Sequence, residues 1–66
     1  GVRHKDRIIN VMRADPARVW RQRDIAQAAH VATASVGKIL SRLRDDRIVL
    51  HDPFARTWQL AAGPSA

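Results

Sequence analysis

The chain contains no cysteine in its 66 residues, and this absence limits the folds that it can adopt. A chain of this length forms one domain with one modest core, and no disulfide is available to stabilise it. It must therefore fold by compact local packing, as small helical domains do. The absence of cysteine also excludes thiolate zinc sites and a secreted, disulfide-rich domain, and it is compatible with a reducing compartment.

The charge of the chain is strongly positive. Twelve Lys and Arg residues stand against six acidic residues, which gives a formal net charge of +6. Ten of the cations are arginine, whose planar fork suits phosphate and guanine because it donates two parallel hydrogen bonds. Such a surplus on a small domain attracts polyanions, so nucleic acid is the first candidate partner and an anionic membrane surface the second.

Apolar residues at helical spacing predict three helices. The first covers residues 3–14 and ends before Pro16, because proline disfavours the helical conformation in the residue that precedes it. The second covers residues 23–29. The third and longest covers residues 33–46, where one face is lined by Val36, Ile39, Leu40 and Leu43.

The C-terminal part changes to the pattern of strands. Residues 48–50 and 56–60 are separated by turn-forming residues and predict a hairpin, and residues 19–20 predict a short edge strand. The sequence thus indicates an α+β fold, mainly α, with three helices and a two- to three-stranded C-terminal β-structure. We expect residues 1–62 to form the domain and residues 63–66 a frayed tail or linker. Because the chain starts with Gly1 and not Met, we expect it to be a piece of a longer protein.

A hairpin alone is marginally stable, so this one must pack against the helices. We expect the residues that do so to be mostly buried, namely Ile25, Val36, Ile39, Leu40, Leu43, Ile48, Trp58 and Leu60. Two aromatic residues leave alternatives open. Trp20 either covers the sheet edge or is partly exposed as contact surface, and Phe54 is either a hairpin residue facing a partner or a lid folded onto the core.

Residues 23–31, followed by Ser35-Val36 and residues 39–43, resemble the winged helix-turn-helix family of bacterial regulators. The similarity covers roughly residues 5–62 and ends at Trp58-Gln59-Leu60. It implies that the third helix lies in the major groove of double-stranded DNA and that the hairpin forms a wing on the flanking backbone or minor groove. The wing also resembles that of Z-DNA-binding winged helices, but the asparagine and tyrosine of their recognition helix are replaced here by Gly37 and Ser41.

The family pattern has glycine or serine at three positions where this chain differs. His30 stands where glycine often lies in the turn after the second helix, and Arg47 stands where glycine often ends the third helix. A non-glycine residue with a positive φ is uncommon, although histidine is among the better-tolerated types. Ala32 stands where serine often caps the third helix, so we expect Thr33 to act as the N-cap instead.

The expected DNA-binding residues follow from this arrangement. Small and basic residues lie on the third helix away from its apolar face, and further arginines precede it or follow it. The expected set is Arg23, Thr33, Ala34, Ser35, Gly37, Lys38, Ser41, Arg42, Arg44 and Arg56. Phosphates are also expected to contact the first helix through Arg3, Lys5 and Arg7, and the second through Arg21 beside Arg23. An alternative for Arg56 is an ion pair with Asp52 across the turn.

No pattern in the sequence indicates catalysis, a cofactor or a metal site: His4, His30 and His51 are far apart, and no glycine-rich phosphate loop is present. We expect a monomeric, cytoplasmic, nucleoid-associated domain of a transcriptional regulator with no membrane partner, and a dimeric parent protein stays open. One alternative is a DNA-recognition module on a plasmid or chromosome translocase or a replication protein. The other is a winged helix that binds a partner protein.

Overall fold

The computed structural model describes residues 3–61 and shows a small α+β domain of three helices and a three-stranded antiparallel sheet. The helices are α1 (His4–Arg13), α2 (Gln22–Ala29) and α3 (Thr33–Asp45), and the strands are β1 (Trp20–Arg21), β2 (Val49–Asp52) and β3 (Thr57–Leu60). The predicted class, the three helices and the C-terminal hairpin are confirmed. The predicted tail at residues 63–66 lies outside the described residues.

Strand β3 lies at the centre of the sheet, which has the order β1-β3-β2. Trp20 of β1 and His51 of β2 both stand opposite Trp58 of β3, one on each side. The predicted edge strand is therefore confirmed as β1, although it starts one residue later than the predicted 19–20. Because side chains alternate along a strand, Val49, His51 and Leu60 share the inner face of the sheet with the two tryptophans.

The core lies between the three helices and the inner face of the sheet. Its members share low exposure and come from every element: Ile8, Met12, Trp20, Ile25, Ala26, Ala29, Val31, Val36, Leu40, Leu43, Val49 and Trp58. Of the residues predicted to be buried, Ile39 and Leu60 are half-buried and pack against this cluster. Trp20 is buried rather than partly exposed. The Arg18 guanidinium lies 3.8 Å from the centre of its ring.

The prediction that Ile48 is buried is wrong. Ile48 is 36% exposed, whereas the next residue, Val49, is fully in the core. The cause is the end of α3: Arg47 adopts a left-handed φ of 63°, and the Ile48 N–H donates to the Leu43 carbonyl at 2.9 Å. The left-handed Arg47 and this hydrogen bond fix Ile48 in the turn, so the strand begins at Val49 and the alternation of its side chains starts from there.

Helix α2 ends in the same way. His30 has a φ of 56°, the His30 N–H donates to the Gln27 carbonyl at 3.3 Å, and the Val31 N–H donates to the Ala26 carbonyl at 3.1 Å. His30 and Arg47, which stand where the family often has glycine, therefore both adopt the left-handed conformation that glycine favours. Both helices close with the paired hydrogen bonds that usually accompany glycine at this position.

The N-cap expected at Thr33 is wrong. Thr33 is the first residue of α3, Ala32 occupies the capping position, and no side chain caps the helix. Instead, the Thr33 carbonyl accepts a hydrogen bond at 2.8 Å from the Gln22 side chain of α2. The start of α3 is therefore fixed by its neighbouring helix.

Candidate nucleic-acid interface

Helix α3 exposes a face opposite to its buried residues. Ala34 and Lys38 lie on this face, with Ser41 half-buried beside them. Thr33 and Arg42 are exposed as well. This part of α3 therefore presents small side chains and two cations, Lys38 and Arg42, on a surface that a partner can reach.

Gly37 is half-buried and lies against α2. A Cβ at this position would come within 2.8 Å of the Gln22 Nε2 atom, the same atom that donates to the Thr33 carbonyl. The absence of a side chain at Gly37 thus makes room for the amide of Gln22. Ser35, another predicted contact residue, is also half-buried.

Gln22 also lines an open cleft of about 690 Å³ between α2 and the hairpin. The cleft lies between the start of α2 and the turn that joins β2 to β3. It is lined by Arg21, Gln22, His51, Pro53, Ala55, Arg56 and Trp58. None of these described residues carries a carboxylate, and two of them, Arg21 and Arg56, are arginines, so the charged groups that line the cleft are positive.

The hairpin turn, residues 53–56, is held by the side chain that precedes it. Asp52 Oδ1 accepts hydrogen bonds from the Phe54 N–H at 3.0 Å and the Ala55 N–H at 3.2 Å. Arg56 then takes a left-handed φ of 57° before β3 begins at Thr57. Arg56 is exposed and lines the same cleft as Trp58.

The alternative ion pair between Arg56 and Asp52 is absent from the structure. Within residues 3–61 the one ion pair closer than 4.0 Å joins Arg44 and Asp45 at 3.6 Å, and both side chains are largely exposed. Arg44 is therefore partly neutralised, whereas Arg42, Arg56 and Arg23, on the first turn of α2, are exposed without a carboxylate within that distance.

His51 and Gln22 belong to the cleft but were missed by reasoning from the sequence. The His51 ring stacks on Trp58 with their centroids 4.0 Å apart. Strand alternation could have placed His51 on the Trp58 face once the strand was known to start at Val49. No local signal marks Gln22, because its role depends on the approach of α2 to α3.

The comparisons with known proteins add no assignment. No protein-family model matches the chain, and no curated protein is similar to it in sequence. Among residues 3–61, no helix combines the length and the apolar character that crossing a membrane requires. In the same part of the chain, no three histidine or carboxylate side chains form a group that could hold a metal ion.

Proposed function

We propose that this chain is a winged helix-turn-helix domain that binds double-stranded DNA, with α3 in the major groove and the β2–β3 hairpin as its wing. The observation that carries the proposal is the position of Gln22. Its side chain contacts Thr33 and Gly37 of α3 and also lines the cleft that contains Arg21 and Arg56. The exposed start of α3 and the basic side chains of the wing therefore border one surface.

The order of elements supports this fold. Helices α2 and α3 are joined by residues 30–32, and the hairpin follows α3 directly. In helix-turn-helix proteins the second helix of the pair enters the major groove with its N-terminal residues at the base edges. Thr33 and Ala34 at this end are exposed and small enough to allow close approach. Lys38 and Arg42 are then within reach of bases or phosphates.

The cleft is suited to the DNA backbone beside the groove. Arg21 and Arg56 are exposed and both line it, and each can donate paired hydrogen bonds to a phosphate. The first turn of α2 adds backbone N–H groups and the positive end of the helix dipole. A duplex that follows α3 would bring its phosphates toward this cleft and would meet the wing at the same time.

The test is a selection of bound duplexes from a random pool, followed by affinity measurements on the selected sequence. A domain that reads bases selects a defined motif, and the symmetry of the motif indicates whether the parent protein binds as a dimer. We expect Arg42→Ala and Lys38→Ala each to weaken binding to that duplex by about 1–3 kcal/mol. Neither change should lower the melting temperature much, since both side chains are exposed.

Arg13→Ala is the matched control. Arg13 is exposed at the end of α1, outside α3 and outside the cleft. The Arg13→Ala substitution removes the same charge as Arg42→Ala. The affinity of this variant for the duplex should stay close to that of the parent, apart from a weak general electrostatic loss. If Arg42→Ala and Arg13→Ala bind the selected duplex equally well, α3 does not contact the DNA.

A further inference from the structure

Phe54 is the most exposed large apolar residue of the described chain. Its exposed fraction is 99%, against 55% for Leu50 and 53% for Val19, the next two in order. The alternative in which Phe54 folds onto the core as a lid is therefore wrong. A fully exposed aromatic ring leaves its whole apolar surface in water, and it gains free energy only by covering that surface with a partner.

The fold does not need an aromatic side chain at this position. The turn is held through backbone groups, because Asp52 Oδ1 accepts the amide hydrogens of Phe54 and Ala55. Any residue with an N–H group can make the same bond at position 54. The ring is thus presented on a defined turn without contributing to the hydrophobic core.

The surroundings of Phe54 indicate the chemistry of the partner. Its neighbours in the turn, Pro53, Ala55 and Arg56, line the basic cleft together with Arg21. A planar apolar ring beside exposed cations fits a polyanion that also offers stacked apolar surfaces. Nucleic acid has both properties, because its phosphates carry the charge and its base steps admit an inserted apolar side chain.

We propose that Phe54 is a wedge residue of the wing: it enters the minor groove and partly unstacks a base step, so that the bound duplex is kinked. This inference rests on the proposed DNA-binding function. Arg21 and Arg56 hold the flanking phosphates while the ring covers the exposed faces of the separated bases. Flexible steps such as TA or CA are preferred at this point of the site, because they unstack with the least loss of free energy.

The experiment measures binding and bending separately on the duplex that the parent chain selects. Dyes on the two ends report the end-to-end distance by energy transfer, and anisotropy of the same duplex reports affinity. We expect the parent to shorten the distance. Phe54→Ala should abolish the shortening and weaken binding by at least about fivefold. Phe54→Leu should keep most of the bend, since leucine is also used as a wedge.

Leu50→Ala is the matched control, because Leu50 is exposed and apolar but lies on the outer face of the sheet, outside the basic cleft. Its bend and affinity should equal those of the parent. A parent that binds the duplex without bending it, or a Phe54→Ala variant that bends it equally, overturns the wedge and leaves the DNA-binding proposal intact. A parent that binds no duplex defeats both proposals. Binding to vesicles of anionic lipid that depends on Phe54, with no bend in DNA, assigns the ring to a membrane surface and overturns the wedge.

Discussion

At the residue scale, Leu40 is one of the three fully buried side chains that hold α3 on the core. It has no exposed surface and lies between Val36 and Leu43 on the core face of the helix. Leu40→Ala should lower the free energy of unfolding by about 2–5 kcal/mol, because it removes apolar contacts and leaves a cavity. Urea denaturation measures the change. Leu50→Ala makes the same truncation at a surface site and should alter stability by about 0.5 kcal/mol or less. Equal effects of the two substitutions would contradict the assigned helix face.

A second prediction at this scale concerns Gly37 and Gln22. The effects of substituting these two residues on the free energy of unfolding should be coupled. Alanine is favoured over glycine inside a helix by about 1 kcal/mol. In the parent, the new methyl group would displace the Gln22 amide, which lies 2.8 Å from the Cβ position, and would break its bond to Thr33. Gly37→Ala should then be nearly neutral, since that bond contributes about 1 kcal/mol.

In a Gln22→Ala background the same Gly37→Ala substitution should stabilise the domain by about 1 kcal/mol, because nothing remains to be displaced. Urea denaturation of the parent, the two single variants and the double variant gives the coupling energy. Identical effects of Gly37→Ala in both backgrounds would show that the two residues do not interact.

At the element scale, the residues that end α2 and α3 have a strained backbone conformation, and substitution by glycine should relieve that strain. His30 and Arg47 adopt φ values of 56° and 63°. A residue with a Cβ is less stable there than glycine by about 1–2 kcal/mol, of which the flexibility of glycine in the unfolded chain offsets a part. His30→Gly and Arg47→Gly should each raise stability by about 0.5–1 kcal/mol in thermal unfolding.

Gln27→Gly provides the opposite sign as a control for these substitutions. Gln27 is exposed within α2, so glycine there should lower stability by about 0.5 kcal/mol. A destabilised His30→Gly chain would mean that the side chain of His30 contributes more than its strained backbone loses.

The β2–β3 hairpin leads to a prediction about how binding depends on salt. Arg56 is exposed beside the cleft and makes no ion pair with Asp52, so under the proposed function it is free to bind a phosphate. Each phosphate contact releases a counterion, and Arg56→Ala should reduce the slope of log affinity against log salt by about one unit. The loss should be similar for most sequences, because backbone contacts carry no base information. A salt series with an unchanged slope removes Arg56 from the interface.

The helices and the order of elements could be predicted from the sequence, since the spacing of Val36, Leu40 and Leu43 fixes both the helix and its buried face. The starting point of β2 could not. Ile48-Val49-Leu50 is uniformly apolar and shows no alternation, so its phase depends on the left-handed turn at Arg47. Some residues of the candidate site could likewise be predicted from the sequence, and others could not. Lys38 and Arg42 are exposed by helical periodicity alone, whereas the contact of Gln22 with Gly37 requires the packing of α2 on α3.

At the scale of the whole molecule, we propose that one surface binds DNA. This surface combines the exposed start of α3, the start of α2 at Arg21 and Gln22, and the hairpin turn at residues 53–56. Two other regions compete with it as contact surfaces. One is the outer face of the sheet at Val19 and Leu50, which would suit a protein partner. The other is the groove between α1 and α2, which is lined by Arg7, Asn10, Val11, Ala28, Ala29 and His30.

The most direct test is an amide chemical-shift titration of the isotope-labelled chain with the selected duplex. We expect the largest changes on residues 33–42, on Arg21 and Gln22, and on residues 54–56, while Val19, Leu50 and Ala28 change little. Changes concentrated on the outer face of the sheet or in the α1–α2 groove, with α3 and the hairpin turn unaffected, would contradict this expectation.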